Sequence, residues 1–393
     1  MEFNIADHTH YLVISGSYAY GTYSESSDYD LRGWAIPPKQ YFTTFDKHFE
    51  QNDQGYPYID YPFRRSLAAY IETNHFRVPP NHEVIDHSIY GVLKFFALAA
   101  ECNPNVIELL FVEPSDVLYT SHLGTMVREH RDLFLSARAK HTFTGYAVSQ
   151  LKRINTHRKW LLNPPKAKPE RAEYGLPETS VIPPEQRGAA EALVEAKVRN
   201  WLLQDAELSD SLIAEIHEKL TDLLANVMAS KDLIARVSDE NDLRELARIS
   251  AMRNLGMTEN YIAVLQSEKK YRDRLKEWNQ YNEWVEKRNP ARAELEAKYG
   301  YDTKHGMQLV RLLLNGKELL TTGKLTVKRD DVSILRDIRN GGWSYEKIIS
   351  YLDAVDKELQ DIYNNKRYAV PHKPDMNGLS KLCNQVVGEA VFT

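Results

Sequence analysis

The chain has 393 residues, 42% of them apolar, enough for one large core or two smaller ones at about 100–200 residues per domain. A formal net charge of −5 with 27% charged residues excludes a surface that grips polyanions everywhere, so any nucleic-acid contact must come from a local basic patch. Cys102 and Cys383 have no Cys or His partner at zinc-site spacing, no apolar run approaches the roughly 20 residues of a bilayer crossing, and the start MEFNIADHTHYLVISGS lacks a basic segment. A disulfide framework, a zinc fold and a membrane span are therefore not expected, and the protein is read as cytoplasmic.

In chain order, Tyr11 to Ser15, Leu31 to Ile36, Tyr41 to Phe49 and Val84 to Ile89 read as strands, short apolar runs bounded by turn residues. From Gly91 the period changes, and Val92, Phe95, Phe96, Leu98 and Ala99 form one apolar face of a helix. Asn103-Pro104 then caps and opens another helix, with Val106, Leu109 and Leu110 continuing the core. A long helix is expected from about Arg138 to Leu162. After it, Asn163-Pro164-Pro165 opens a segment that also holds Pro169, Pro177, Pro183 and Pro184, which reads as a linker or exposed excursion. From about Gln186 to Lys298 the composition is that of an all-helical block, with helical apolar spacing at Leu212, Ile213, Ile216, Leu220 and Leu223. Met307, Leu309, Val310, Leu312 and Leu313 give a further helix, and Asp353 to Tyr363 is expected to end the packed part. The division this suggests is 1–135, 136–300 and 301–393, α+β in class, with a small mixed sheet first and a mainly helical remainder.

The chemistry concentrates in SGSYAYGTYSESSDYDLRG, from Ser15 to Gly33. A strand ending at Val13 and Ile14 runs into Gly16-Ser17, where glycine lets the backbone approach a phosphate closely and a following helix N-terminus offers free N–H donors. Ser17 is placed to hydrogen-bond a phosphate oxygen. Asp28 and Asp30 follow in a segment that becomes extended, where positions two apart point to one face. Two carboxylates side by side repel unless a cation lies between them, and Mg²⁺ (or Mn²⁺) favours a few carboxylates plus substrate phosphate oxygens. A third carboxylate near the pair serves as ligand or base in transfer of a nucleotidyl group. Asp86 is the first candidate and Glu83 the substitute; they differ in which strand face they occupy. A lone Gly-Ser or Asp-x-Asp is usually a turn or a solvated loop; the ordered combination is what carries the argument.

At these residues the chain resembles the DNA polymerase β-like nucleotidyltransferase superfamily, whose signature is Gly-Ser, then Asp-x-Asp, then a third acidic residue. More narrowly it is similar to the nucleotidyltransferases of the RNA-repair branch, found in bacteria and phages and associated there with RNA ligases. The likeness extends through Tyr90 to Phe111 with Lys94-Phe95 and Asn103-Pro104, and through Phe143-x-Gly145-Tyr146-Ala147 to Gln150-Leu151-Lys152. It continues at Tyr301-Asp302-x-Lys304-His305, Arg311-Leu312-Leu313, Gly323-Lys324-Leu325 and Ile338-Arg339-Asn340-Gly341-x-Trp343. The resemblance implies a small sheet carrying Ser17, Asp28, Asp30 and Asp86, followed by helices that close over a nucleoside triphosphate. It further implies transfer of a nucleoside monophosphate to a hydroxyl, with an RNA (tRNA) 3′ end as the favoured acceptor. The setting it implies is a bacterial cell or a phage-infected host. Many relatives carry a small residue or His at the position of Tyr18, a departure that bears on nucleotide selectivity.

Elsewhere, Lys304, His305 and Arg311 lie at helical spacing and are candidates to contact the triphosphate, with an interdomain salt-bridge cluster as the equal alternative. Lys152, Arg153, Arg158 and Lys159 form the cleanest basic run and the preferred RNA contact. Between Lys269 and Arg292, cations alternate with Tyr271, Trp278, Tyr281 and Trp284, but the interspersed acids favour a solvated face with its aromatics turned inward. Arg339, Asn340 and Trp343 read as a turn that buries Trp343 against the last helix. Two other functions stay open: an enzyme that modifies a protein hydroxyl with AMP or UMP through the same site, and a non-catalytic nucleic-acid-binding protein. Oligomeric state cannot be read from the sequence.

Overall fold

The computed structural model describes residues 3–25, 27–200, 245, 248–288 and 290–392. The helical spacing at Leu212 to Leu223 lies outside the described residues. The chain divides into two compact units, one formed by 1–152 with 303–393 and the other by 153–302.

The first unit holds a mixed sheet of β1 (Thr9–Ser15), β2 (Asp30–Ala35), β3 (Gln51–Asn52), β4 (Tyr56–Pro57), β5 (Val84–Gly91) and β6 (Val117–Thr120). Its order is β3-β5-β2-β1-β6, with β4 also paired to β5; β2 and β5 run parallel and the other pairs antiparallel. Leu12, Val13, Ile14, Leu31, Trp34, Ile85 and Ile89 are buried, consistent with a sheet covered where apolar residues run unbroken. Gly33 is required at the centre, because a Cβ there would lie 1.9 Å from the Tyr11 carbonyl oxygen on the neighbouring strand.

The first helices of this unit are α1 (Gly16–Ala19), α2 (Gln40–Thr43), α3 (Arg64–Asn74), α4 (Val92–Ala100), α5 (Pro104–Ile107) and α6 (His122–Glu129). The apolar face expected of the helix after Gly91 is the buried face of α4, which packs on β5 and β2. Asn103 caps α5 as its type and the following proline suggest, its side chain accepting from the Asn105 N–H at 3.1 Å. The strand expected over Tyr41 to Phe49 does not form: α2 occupies its start and Phe45 is 94% exposed. An extended strand there would have needed an alternating buried face, which this segment does not present.

Helix α7 (Ala139–Leu162) carries the chain across the division between the units. The second unit contains α8 (Pro184–Asn200), α9 (Glu259–Lys287) and α10 (Pro290–Tyr299). Its core gathers Ile182, Ala190, Val194, Ala251, Met252, Ile262 and Leu265. Trp160, Tyr281 and Trp284 pack together with ring centroids 5.4–6.1 Å apart, while Lys287 pairs with Glu283 one turn away. The alternation of charge and aromatics in this stretch is thus an amphipathic helix with its rings turned inward. The first unit resumes with α11 (Thr303–Thr322), α12 (Val332–Arg339), α13 (Tyr345–Asn364) and α14 (Met376–Phe392). The packed part does not end at Tyr363, since Leu379, Leu382 and Val386 of α14 are buried and the helix packs on α4 and α6. No helix among the described residues is long and apolar enough to cross a membrane.

Candidate active site

The sheet register builds the site. Ser15 at the end of β1 lies opposite Asp30 at the start of β2, and Asp30 lies beside Asp86 on β5. Register partners share a face, so the two carboxylates project side by side. Asp28 precedes β2 by two residues in irregular chain rather than in the strand itself. Its charge is nonetheless felt at Asp30, as is that of Asp86. The Asp30 carboxyl is pushed up from its ordinary value first by burial and then by these two neighbours, while Arg32 and Lys304 pull it back down.

Gly16 closes the site from the β1 side. Its φ of +63° is in the left-handed region, and a Cβ on it would fall 2.0 Å from Asp30 Oδ2. The turn backbone therefore rests directly on the carboxylate, as close approach of a phosphate to both would require. The helix that follows is one turn long, Gly16–Ala19, shorter than the spacer suggested. Among the described residues, Ser17 Oγ and the side chains of Asp28, Asp30 and Asp86 make no hydrogen bond or ion pair within the protein. Three unpartnered carboxylates with hard oxygen donors, one of them destabilised by the others, fit a divalent cation such as Mg²⁺ and have no protein cation bonded among them.

Glu83 is otherwise engaged: both its oxygens accept from Arg77 at 2.7 Å, and the Arg77 carbonyl accepts from the Tyr29 hydroxyl. Tyr18 is 3% exposed and stacks between Tyr23 and Tyr29 at 5.0 and 4.4 Å.

The three cations expected on α11 separate. Lys304 is exposed at the start of the helix and acts on Asp30. His305 is half-buried with Nδ1 2.8 Å from Gln150 Oε1. Arg311, 3% exposed, donates to Glu108 at 2.6 Å and lies 3.7 Å over the Tyr20 ring. Glu108 also accepts from Tyr20 at 3.0 Å and Asn315 at 3.1 Å, so the guanidinium is consumed by a buried network and does not reach an open surface. The basic run is also partly spent. Arg158 donates to the Gly300 carbonyl at 2.8 Å and Lys159 pairs with Glu277 at 2.5 Å, while Lys152 and Arg153 are exposed. Acids distant in sequence supply what the run itself lacks.

Sequence reasoning missed two groups here. Arg336 donates twice to the Gly21 carbonyl, at 2.9 and 2.6 Å, and Arg339 donates to that of Thr22, so α12 clamps the loop that leads into Asp28. The turn that Arg339 leads into buries Trp343 against Tyr351 of α13, the helix that holds Asp353 to Tyr363. The second is Arg32, on the same face as Asp30.

A family model described as RlaP, RNA repair pathway DNA polymerase beta family, matches residues 4–163. The match covers the entire sheet, the Gly-Ser turn and all three carboxylates. No curated protein and no solved structure matches the chain.

Proposed function

Because residues 4–163 match the RNA repair pathway DNA polymerase beta family, we propose that the protein is a Mg²⁺-dependent nucleotidyltransferase that joins a nucleoside monophosphate to an RNA 3′ end. The observation that supports this most is the register Ser15–Asp30–Asp86, which sets a phosphate-approaching turn and two carboxylates at one point, with Asp28 near them.

In this reading the Ser17 hydroxyl and the N–H groups of the Gly16–Ala19 turn hold the triphosphate, with Lys304 offering positive charge and His305 a ring nitrogen from α11. Arg311 is left out, since Glu108 holds it in the interior. Asp28, Asp30 and Asp86 would hold the divalent cation, which when bound supplies charge neutralisation at the α-phosphate and leaving group. The acceptor hydroxyl oxygen forms a bond to the α-phosphorus as the bond to the β-phosphate oxygen breaks. Pyrophosphate leaves with that electron pair, and the hydroxyl proton passes toward Asp86. Lys152 and Arg153, both exposed, are the part of the basic run offered to the RNA backbone.

The test is to incubate the protein with each labelled NTP, Mg²⁺, and RNA or protein acceptors. Labelled RNA that disappears when Asp28 and Asp30 are both replaced by Ala is the expected result. Label on protein alone would move the acceptor to a protein hydroxyl; label no greater than that of the double variant with every acceptor would end the reading.

A further inference from the structure

Arg32 is a cation of the site face that none of these roles uses. It stands two positions after Asp30 on β2, so its side chain leaves the same face about 6–7 Å farther along the strand. It is in register with Ser88 just as Asp30 is with Asp86. The side chain is half-buried, and among the described residues its guanidinium makes no hydrogen bond and no ion pair. Its charge acts on Asp30 and Asp53; Asp53 accepts from Ser88 Oγ at 2.5 Å and from Gln51 instead. None of the Arg32 nitrogens is buried without a partner, so its planar fork of donors stays open to solvent and to an incoming acceptor. Arg311 and Arg329 in the same unit are each bonded to carboxylates. Arg32 differs from them in having no carboxylate bonded to it.

Position says which anion. The Gly16-Ser17 turn abuts Asp30 from the start of β2, and Arg32 lies beyond Asp30 in the opposite direction along the strand. In-line displacement places the leaving and attacking oxygens on opposite sides of the transferred phosphorus. A triphosphate seated on Ser17 then has its pyrophosphate at the turn and its attacking hydroxyl on the Arg32 side. We propose that Arg32 binds the phosphodiester adjacent to the attacking 3′ hydroxyl, and so selects a nucleic-acid strand over a protein hydroxyl as acceptor. The guanidinium fork matches two phosphate oxygens, a feature absent beside a Ser, Thr or Tyr hydroxyl. This rests on the nucleotidyl-transfer reading but is tested by binding, which needs no turnover.

The experiment titrates the full-length protein, as wild type, Arg32→Gln and Arg32→Lys, with a short 5′-fluorescein oligoribonucleotide bearing a 3′ hydroxyl. In parallel each of the four NTPs is titrated calorimetrically with Mg²⁺, and circular dichroism checks the fold. The expected result is that Arg32→Gln weakens RNA binding by about 10-fold or more, from loss of charge-assisted hydrogen bonds, with NTP affinity within about two-fold and partial recovery in Arg32→Lys. NTP affinity falling while RNA affinity holds would assign Arg32 to the triphosphate and overturn the proposal. So would unchanged RNA affinity, equal loss of both ligands, loss of the native circular dichroism in both variants, or a wild type that binds no RNA. RNA binding that depends on Arg32 in a protein that transfers no nucleotide would instead leave Arg32 in place and remove the catalytic reading.

Discussion

At the scale of single residues, Gly16 and Asp30 are one unit. A methyl group at Gly16 must displace the Asp30 carboxylate, and the left-handed φ adds about 1–2 kcal/mol for any other residue. Gly16→Ala should therefore fold with a small loss of stability while losing about 100-fold or more in transfer rate, since an ångström of misplacement costs that much. Urea unfolding and single-turnover rates measured on the same preparation separate the two effects. Arg311 makes the opposite case. Removing one partner from its buried pair with Glu108 should cost about 3–5 kcal/mol, and Arg311→Met with Glu108→Gln should recover part of that. Fluorescence-monitored denaturation of the three variants checks this; an Arg311 variant of wild-type stability would contradict the burial argument. Gly16, Ser17, Asp28 and Asp30 could be singled out as candidates in the sequence because their types and spacing are local. It could not show that Arg311 faces Glu108, 203 positions away, nor that Arg32 is left without a partner, because both depend on what the fold brings opposite.

At the scale of elements, β1, β2, β5 and α4 were legible, since their apolar runs and period change follow from burial on the sheet. Tyr41 to Phe49 was misread because aromatic content imitates a strand without supplying alternation. Pairing between elements carries consequences for pH. His10 on β1 stacks on Trp34 of β2 and bonds Ser121 Oγ at 2.9 Å. Burial first, then the charges of His122 and His8, lowers its pKa from 6.5 to about 4. The unfolded chain thus takes up this proton before the folded one, so the stability it confers is present above pH 6.5 and lost as the pH falls toward about 4. His10→Gln should show a shallower loss of stability across that window in urea titrations; an unchanged slope would exclude His10 as a source. In the second unit, Glu268 of α9 is buried under Arg171, which donates at 2.5 and 3.2 Å, with Ser180 Oγ at 2.8 Å. Glu268→Gln should weaken this unit by about 3 kcal/mol, seen as earlier proteolysis within 153–302 in a limited digest.

For the whole molecule, the α+β class and the succession of a sheet region by helices were legible from composition and period. The return of 303–393 to the unit formed by 1–152 was not, because nothing local in α11 states which surface its apolar face will cover. That return sets Lys304 where its charge acts on Asp30, 274 positions earlier in the chain. The proposed reaction of this assembly transfers a nucleoside monophosphate and releases pyrophosphate. The most direct measurement supplies the same NTP labelled in turn at the α- and γ-phosphorus, with Mg²⁺ and RNA, and follows the label in acceptor and released phosphates. Nucleotidyl transfer gives α-label in the RNA, γ-label only in pyrophosphate, and neither product from the Asp86→Asn protein. Label from the γ-position in the acceptor, or conversion of the NTP to diphosphate and inorganic phosphate, would contradict it.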